Sequence, residues 1–147
     1  DLHLSIRRQR QMCIRDRIGS DGRAMSTDGF YKKALPHPRY YGTHPRILGR
    51  YVREKPSDLT LEDAIYKMTG FPAQRLNLQN RGTIEIGKIA DIVIFNPDEV
   101  IDKATFEEPH QYAAGIPFVL VKGIPIVDKG VHTQARPGKV LRRGQKN

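Results

Sequence analysis

The spacing of the apolar residues changes near residue 80, and this change restricts the folds that the chain can adopt. Before it, apolar side chains follow the helical spacing i, i+3, i+4, i+7, at Leu61, Ala64, Ile65 and Met68. This spacing predicts a helix with one apolar face, whose first turn Thr60 is expected to cap. After residue 80, alternating and short continuous apolar runs predict strands. The first half is predicted to contain one strand end and a pair of helices, whose apolar faces need other elements to pack against. Neither half is therefore predicted to be a complete fold.

Proline and glycine delimit the other predicted helices. The stretch up to residue 46 is rich in proline, which disfavours helix, and is predicted to be a long loop. A short helix is predicted over residues 45–53. Gly70 is expected to end the Thr60 helix in the left-handed conformation. Pro72 is expected to begin a second short helix that ends at Leu76, with the Leu76 side chain directed inward.

Three strand segments are predicted in the second half. Residues 83–86 alternate between polar and apolar, which indicates a half-buried strand. Residues 91–95 form a short apolar run, which is typical of a strand buried on both faces. Residues 118–127 are predicted to form a hairpin that turns at Lys122 and Gly123. Pro125 cannot donate to a ladder, so the second hairpin strand is expected at an edge.

The first segment, residues 1–17, differs from the rest of the chain. It is rich in Arg and Gln, has no helical or strand period, and ends in the hexapeptide MCIRDR. This hexapeptide resembles translated sequencing-adapter read-through, and the alternative is a genuine disordered basic arm. We expect residues 1–17 to be non-native or disordered, and Cys13 to have no function.

The positive charge of the chain does not indicate nucleic-acid binding. The formal net charge is +9, but the first segment contributes five arginines and two aspartates, which leaves 20 basic and 14 acidic residues, a net charge of +6. Much of the remaining excess lies near the other end, and no basic-aromatic stacking pattern occurs between the ends. Nucleic acid is therefore not expected as a partner.

Cysteine content and hydropathy indicate the expected location. Cys13 is the only cysteine, so no internal disulfide can form, which suits a reducing compartment. No apolar run approaches the roughly 18 residues that a membrane-spanning helix needs. We expect a cytoplasmic location and no membrane partner.

Asp21 is the strongest candidate for a catalytic residue. Ile18 is interpreted as the end of an apolar strand, and Gly19 and Gly22 flank Asp21 so that the backbone can turn sharply. Barrel enzymes place catalytic groups at the C-terminal ends of their strands. A carboxylate there could take a proton from a metal-bound water and pass it to a leaving amine. The alternative is an ordinary turn, since Ser, Asp and Gly all favour turns.

Arg39 is the candidate for substrate binding. It follows two prolines that stiffen the segment, and its planar guanidinium matches a carboxylate with two hydrogen bonds. The alternative is a surface charge on a proline-rich loop. The histidines His37, His44, His110 and His132 share no metal-ligand spacing and are interpreted as surface or loop residues.

Several motifs, in the order in which they occur, resemble the N-acyl-D-amino-acid deacylases (D-aminoacylases) of the amidohydrolase superfamily. Residues 19–22 (GSDG) and 36–39 (PHPR) resemble the end of the barrel of that family. The narrowest resemblance is that of residues 102–112, DKATFEEPHQY. The others are residues 41–51, 61–69, 81–93 and 135–141. Together they cover residues 18 to about 143.

The resemblance implies an α/β architecture followed by a β-rich unit. Residues 18–79 would be the last β/α unit of a (β/α)8 barrel, and residues 80–147 would be part of a small β-sandwich and a basic tail. The implied reaction is zinc-dependent hydrolysis of N-acyl-D-amino acids to a carboxylate and a D-amino acid. Asp21 would match the catalytic aspartate of the family, and Arg39 the arginine that grips the substrate carboxylate.

The chain also departs from the family. The zinc ligands, an HxH pair with further Cys and His residues, are absent, so the zinc is expected to be held by residues outside this chain. A complete barrel takes about 250 residues, so we expect this chain to be an incomplete fold that needs the remainder of the barrel and is inactive alone. His44 stands where the family usually has Phe, and residues 23–35 are not a close match. Both differences leave the acyl preference open.

Two alternatives remain. One is another amidohydrolase that acts on cyclic amides, similar to hydantoinases or dihydroorotases, which commonly use two metals bridged by a modified lysine. The other is a non-catalytic, β-rich binding module formed by residues 80–143.

Overall fold

The computed structural model describes residues 18–55 and 59–142. The predictions for residues 1–17, including Cys13, lie outside the described residues, as does the last part of the basic tail. Among the described residues, no helix is long and apolar enough to cross a membrane.

A short 3-10 helix, Phe30–Lys33, lies within the stretch predicted as a loop, and the helix predicted at residues 45–53 begins earlier than expected. Helix α1, Arg39–Arg46, continues without a break into a π-helical segment, Ile47–Arg53, where the Glu54 amide donates to the Gly49 carbonyl over 3.2 Å. The expected loop therefore ends at Pro38, eight residues before position 46. Pro38 is compatible with the start of a helix because its fixed φ suits the first turn. Pro45 lacks one hydrogen-bond donor but is buried, so packing offsets the loss.

The predicted helix after Thr60 is confirmed. Helix α2 spans Leu61–Met68, and the Thr60 hydroxyl accepts a hydrogen bond of 3.1 Å from the Asp63 amide. Ala64, on the predicted apolar face, is fully buried.

The boundary after helix α2 differs from the prediction. Gly70 does not adopt a left-handed conformation but begins helix α3, Gly70–Arg75. A Cβ atom at Gly70 would lie 3.0 Å from the Tyr66 ring, so close packing rather than turn geometry favours glycine here. The inward orientation predicted for Leu76 is also wrong, because Leu76 is half exposed.

The predicted hairpin is confirmed as part of a four-stranded antiparallel sheet. Its strands, in the order β1-β2-β3-β4, are Ile92–Ile94, Phe118–Val121, Ile124–Asp128 and Val131–His132. Lys122 and Gly123 both have positive φ (54° and 75°), as the tight hairpin turn requires. The edge position predicted for the second hairpin strand is wrong, because β3 lies between β2 and β4. The Thr133 hydroxyl, just after β4, donates to the Pro125 carbonyl over 2.8 Å.

Two strand predictions are wrong. Residues 83–86 do not form a strand, and Ile84 and Ile86 are exposed. Alternating polar and apolar residues would give a strand one apolar face, but a strand also needs a neighbouring strand with which to form hydrogen bonds. No described segment pairs with residues 83–86. The strand predicted at residues 91–95 exists as β1, but Val93 and Ile94, which point to opposite faces of the strand, are both half exposed rather than buried.

The small core contains residues from both sides of residue 80. Leu48, Leu59 and Ala64 are buried together with Val100. Gly49 lies so close to the later segment that a Cβ atom there would be 2.4 Å from Ile101 Cδ1. The helical part and the segment before strand β2 therefore pack on one another.

Candidate functional site

The structure brings the two predicted site residues together. Arg39 Nη2 lies 3.0 Å from Asp21 Oδ2, and Arg39 Nε donates to the Asp21 backbone carbonyl over 3.1 Å. Both side chains remain accessible, with 88% of the Asp21 side chain and 40% of the Arg39 side chain exposed. A carboxylate and a guanidinium 18 positions apart in the chain thus share one surface site.

The local sequence explains how the two residues meet. Arg39 is the first residue of helix α1, and its amide lies 3.1 Å from His37 Nδ1. Gly22 packs against the same turn, since a Cβ atom there would be 3.1 Å from Tyr40 Cα. A side chain at position 22 would push the Asp21 backbone away from helix α1.

Asp21 has an unusual backbone conformation. Its φ is 47°, in the left-handed region that a residue with a side chain adopts only at a cost of about 1 kcal/mol or more. The strand end expected at Ile18 is not seen: Ile18 lies outside any strand, although its amide donates to the Lys67 carbonyl over 3.4 Å. Asp21 therefore lies on a constrained turn, which is a feature often found at functional sites.

The Asp21–Arg39 ion pair contributes little to stability. Pairs exposed to water are worth about 0–1 kcal/mol. Because the fold does not depend on this pair for its stability, both side chains can change partners when a ligand binds. The carboxylate can accept and deliver a proton, and the guanidinium can bind a carboxylate through its fork.

Sequence reasoning missed a group of aromatic residues, Tyr41, His110 and Tyr112, of which Tyr41 lies two positions after Arg39. The Tyr41 hydroxyl donates to the Ser26 carbonyl over 3.1 Å and lies 2.9 Å from His110 Nδ1. The Tyr112 hydroxyl accepts from the Thr27 amide over 3.3 Å. His110, which the sequence predicts to be a surface or loop histidine, does lie in a loop, and both of its ring nitrogens have partners. The family-like motif at residues 102–112, which contains His110 and Tyr112, was the sequence feature that could have pointed to these aromatic residues.

The described residues do not form a metal centre. Within residues 18–55 and 59–142, no three His, Cys, Asp or Glu side chains are grouped so that they could hold an ion. Asp21 is a single exposed carboxylate, and structural and catalytic zinc sites use three or four protein ligands. The described part of the chain alone therefore does not fit a zinc site.

Comparison with known proteins gives the class of the chain. A profile of the Amidohydrolase family matches residues 21–127, which include Asp21, Arg39 and these aromatic residues. The match covers more than half of the sequence, and the chain belongs to the amidohydrolase family.

The most informative relatives belong to one branch of this family. The chain is 44% identical over 119 residues to a D-aminoacylase of Alcaligenes xylosoxydans xylosoxydans, and equally identical over the same length to an N-acyl-D-glutamate deacylase of that organism. Each match covers 81% of this chain and 24% of the relative. The chain thus spans about a quarter of the length of the relatives it matches.

A solved structure gives the same result. The N-acyl-D-glutamate deacylase of Bordetella bronchiseptica, complexed with zinc and a phosphonate mimic of the tetrahedral intermediate, is 42% identical. It superposes with a TM-score of 0.72 over 86% of this chain and 25% of the deacylase. The arrangement of helices and sheet described above therefore occurs within a deacylase.

Proposed function

We propose that this chain contributes the last part of an N-acyl-D-amino-acid deacylase and supplies two of its site residues. The observation that carries the proposal is the contact between Asp21 and Arg39, the two groups that the reaction requires, on an accessible surface. Both lie within the region matched by the family profile. The relatives that share this region act, by name, on N-acyl-D-amino acids.

Arg39 is the group that binds the substrate carboxylate. Its Nε and Nη2 are directed at Asp21, so a substrate carboxylate either uses the remaining N–H groups or replaces the Asp21 side chain. The Nε bond to the Asp21 backbone carbonyl keeps the guanidinium in place in either case. This arrangement places the negatively charged end of the substrate beside Asp21.

Asp21 is the group that moves the proton. As water attacks the amide carbonyl carbon, the Asp21 carboxylate takes one proton from the water. It returns that proton to the amide nitrogen as the C–N bond breaks. The carboxylic acid that forms passes its remaining proton to the released amine, so the products are a carboxylate and a D-amino acid, and Asp21 regains its starting charge.

The rest of the proposal concerns the domain organisation, the metal and the location of the protein. We place the last β/α unit of a (β/α)8 barrel in residues 18–79 and part of a small β-sandwich in residues 80–147. Zinc would be held by residues outside this chain, which agrees with the absence of a ligand group among residues 18–55 and 59–142. The chain alone is inactive because the remainder of the barrel supplies the metal, and the protein is cytoplasmic.

A chimaera tests this function. Residues 18–142 replace the matching quarter of the Alcaligenes D-aminoacylase, and hydrolysis of N-acetyl-D-amino acids is measured. Asp21→Asn should lower kcat by roughly 10²–10⁴, as expected for lost acid-base catalysis. Arg39→Lys keeps the charge but loses the fork, and should raise KM by about tenfold.

The matched controls are Asp98→Asn and Arg75→Lys, which change exposed residues outside the site. Both should retain the parental activity. A folded but inactive parental chimaera, or a fall of less than about tenfold in kcat for Asp21→Asn, would contradict the proposal.

A further inference from the structure

The segment of residues 106–112 contacts the chain on both sides of Arg39. The Phe106 ring packs edge-on against His37, with centroids 5.0 Å apart. The His110 ring lies against Tyr41, with Nδ1 2.9 Å from the Tyr41 hydroxyl. Arg39 lies midway between His37 and Tyr41 in the sequence. Its backbone is therefore supported on each side by the same distant segment.

His110 also forms a hydrogen bond with the loop that leads to Arg39. Its Nε2 lies 2.7 Å from the Ala34 carbonyl, which can only accept, so Nε2 carries a proton and donates. Nδ1 and the Ser26 carbonyl are both within hydrogen-bond distance of the Tyr41 hydroxyl, whose single proton serves one of them at a time. One imidazole thus joins the end of the loop at residues 23–35 to the first turn of helix α1.

Tyr41 and Tyr112 form hydrogen bonds with the beginning of the same loop. Tyr41 reaches the Ser26 carbonyl over 3.1 Å, and Tyr112 accepts from the Thr27 amide over 3.3 Å. The Tyr41 and Tyr112 rings meet edge to face, with centroids 5.9 Å apart. The loop is consequently held near both of its ends by side chains from outside it.

This anchoring bears directly on the Asp21–Arg39 pair, because the loop at residues 23–35 is part of the connection between them. An exposed ion pair worth about 0–1 kcal/mol cannot by itself keep two chain segments at a fixed separation. The contacts of residues 106–112 restrict the loop and helix α1 together. They therefore limit how far the Arg39 guanidinium can move relative to Asp21.

We propose that His110 is a positioning residue for substrate recognition, which holds the loop and the first turn of helix α1 so that Arg39 presents its guanidinium to the substrate carboxylate. The inference rests on the proposed function of Arg39. It assigns to His110 no contact with the substrate and no role in proton transfer. Its effect is on binding of the charged end of the substrate.

The first test is hydrogen exchange in the 147-residue chain. His110→Ala should speed exchange of amides in residues 23–35 by about tenfold or more, while amides of helix α2 keep their protection. His110→Gln can retain a donor towards the Ala34 carbonyl and should restore part of the protection. His132→Gln is the matched control, because the His132 ring accepts a hydrogen bond from the Gln134 amide, two positions away in the chain. Unchanged exchange in the loop of His110→Ala would overturn the proposal.

The second test uses the chimaera with two substrates, an N-acetyl-D-amino acid and its carboxamide, which lacks the negative charge. His110→Ala should reduce the preference in kcat/KM for the carboxylate substrate by about tenfold, mainly through KM, and His110→Gln should recover part of it. A purely structural role would lower kcat/KM for both substrates equally, and that result would overturn the proposal.

The two proposals fail in different ways. If Asp21→Asn and Arg39→Lys leave the activity of the chimaera intact, the proposed function is wrong, whatever the loop does. If those variants behave as expected but His110→Ala changes neither loop exchange nor substrate preference, only the positioning role is wrong.

Discussion

Helix α1 and the π-helical segment that continues it carry arginines that pair with two aspartates in opposite environments. Arg39 pairs with Asp21, whose side chain is 88% exposed. Arg46 and Arg50 pair with Asp102, whose side chain is only 3% exposed. Arg46 Nε donates to Asp102 Oδ2 over 2.7 Å, and Arg50 Nε lies 3.5 Å from Oδ1.

The difference separates a contact that holds the structure from one that is available for chemistry. A buried carboxylate must keep its cations, because their loss leaves a charge without solvent. An exposed carboxylate can exchange its partner for a ligand at little cost. An Asp–Arg pair can therefore either stabilise the fold or remain available to a ligand, and the burial of the carboxylate decides which.

The largest expected effect is at the buried pair. Asp102→Ala should lower the free energy of unfolding by about 2–3 kcal/mol, since it removes the charge-assisted hydrogen bonds that the buried carboxylate accepts from the half-exposed Arg46 and Arg50. Urea unfolding of the chain measures this change. A loss below about 1 kcal/mol would mean that the buried pair is no more important for stability than the exposed one.

Gly42→Ala tests how tightly Asp102 is enclosed. A Cβ atom at position 42 would lie 2.8 Å from Asp102 Cβ, so we expect a loss of about 1–3 kcal/mol from overpacking. Gly19→Ala is the matched control, because nothing lies within 4 Å of its added Cβ. Equal unfolding midpoints for the two variants would show that helix α1 can move away from Asp102.

His44, which lies on helix α1 between Arg39 and Arg46, gives a smaller effect that depends on pH. Neighbouring protein atoms remove part of its solvation and lower its pKa, although the side chain keeps some contact with solvent. The unfolded chain then binds the proton more readily than the folded chain, so His44 costs stability as pH falls below its usual value of about 6.5. His44→Phe should remove this loss. Unfolding of both proteins at pH 7.5 and 5.5 should show a difference in favour of the variant that grows at the lower pH, and a constant difference would contradict the expectation.

The smallest effect on stability is expected at Asp21. Asp21→Asn should change the free energy of unfolding by less than about 0.5 kcal/mol, because the pair is exposed and Asn tolerates a positive φ. The same substitution should abolish most of the activity of the chimaera. A loss of stability comparable to that of Asp102→Ala would remove the distinction between the two pairs.

Local features were predicted well from the sequence. The Thr60 cap, the apolar face of helix α2 and the turn at Lys122 and Gly123 each depend on residues within a few positions of one another. Predictions that depended on a distant partner were weaker. Ile84 and Ile86 alternate as in a strand, yet they are exposed, because a ladder needs a second segment that no local pattern specifies.

The candidate site divides in the same way. Asp21 and Arg39 could be selected from the sequence because each is marked by its immediate neighbours. Glycines beside Asp21 indicate a sharp turn, and prolines before Arg39 indicate a stiff segment. Their catalytic and binding roles remain predictions. The contribution of His110 could not be selected, since its partners, the Ala34 carbonyl and the Tyr41 hydroxyl, are 76 and 69 positions away.

The sequence by itself determined the Thr60 cap, the hairpin turn, the family and the two candidate residues, because each is encoded in short motifs. Only the tertiary structure decided that Asp21 and Arg39 are in contact, that Asp102 is buried and that residues 106–112 support the loop. The physical reason is that burial and pairing depend on segments far apart in the chain. A carboxylate has the same local sequence signal whether it ends in water or between two arginines.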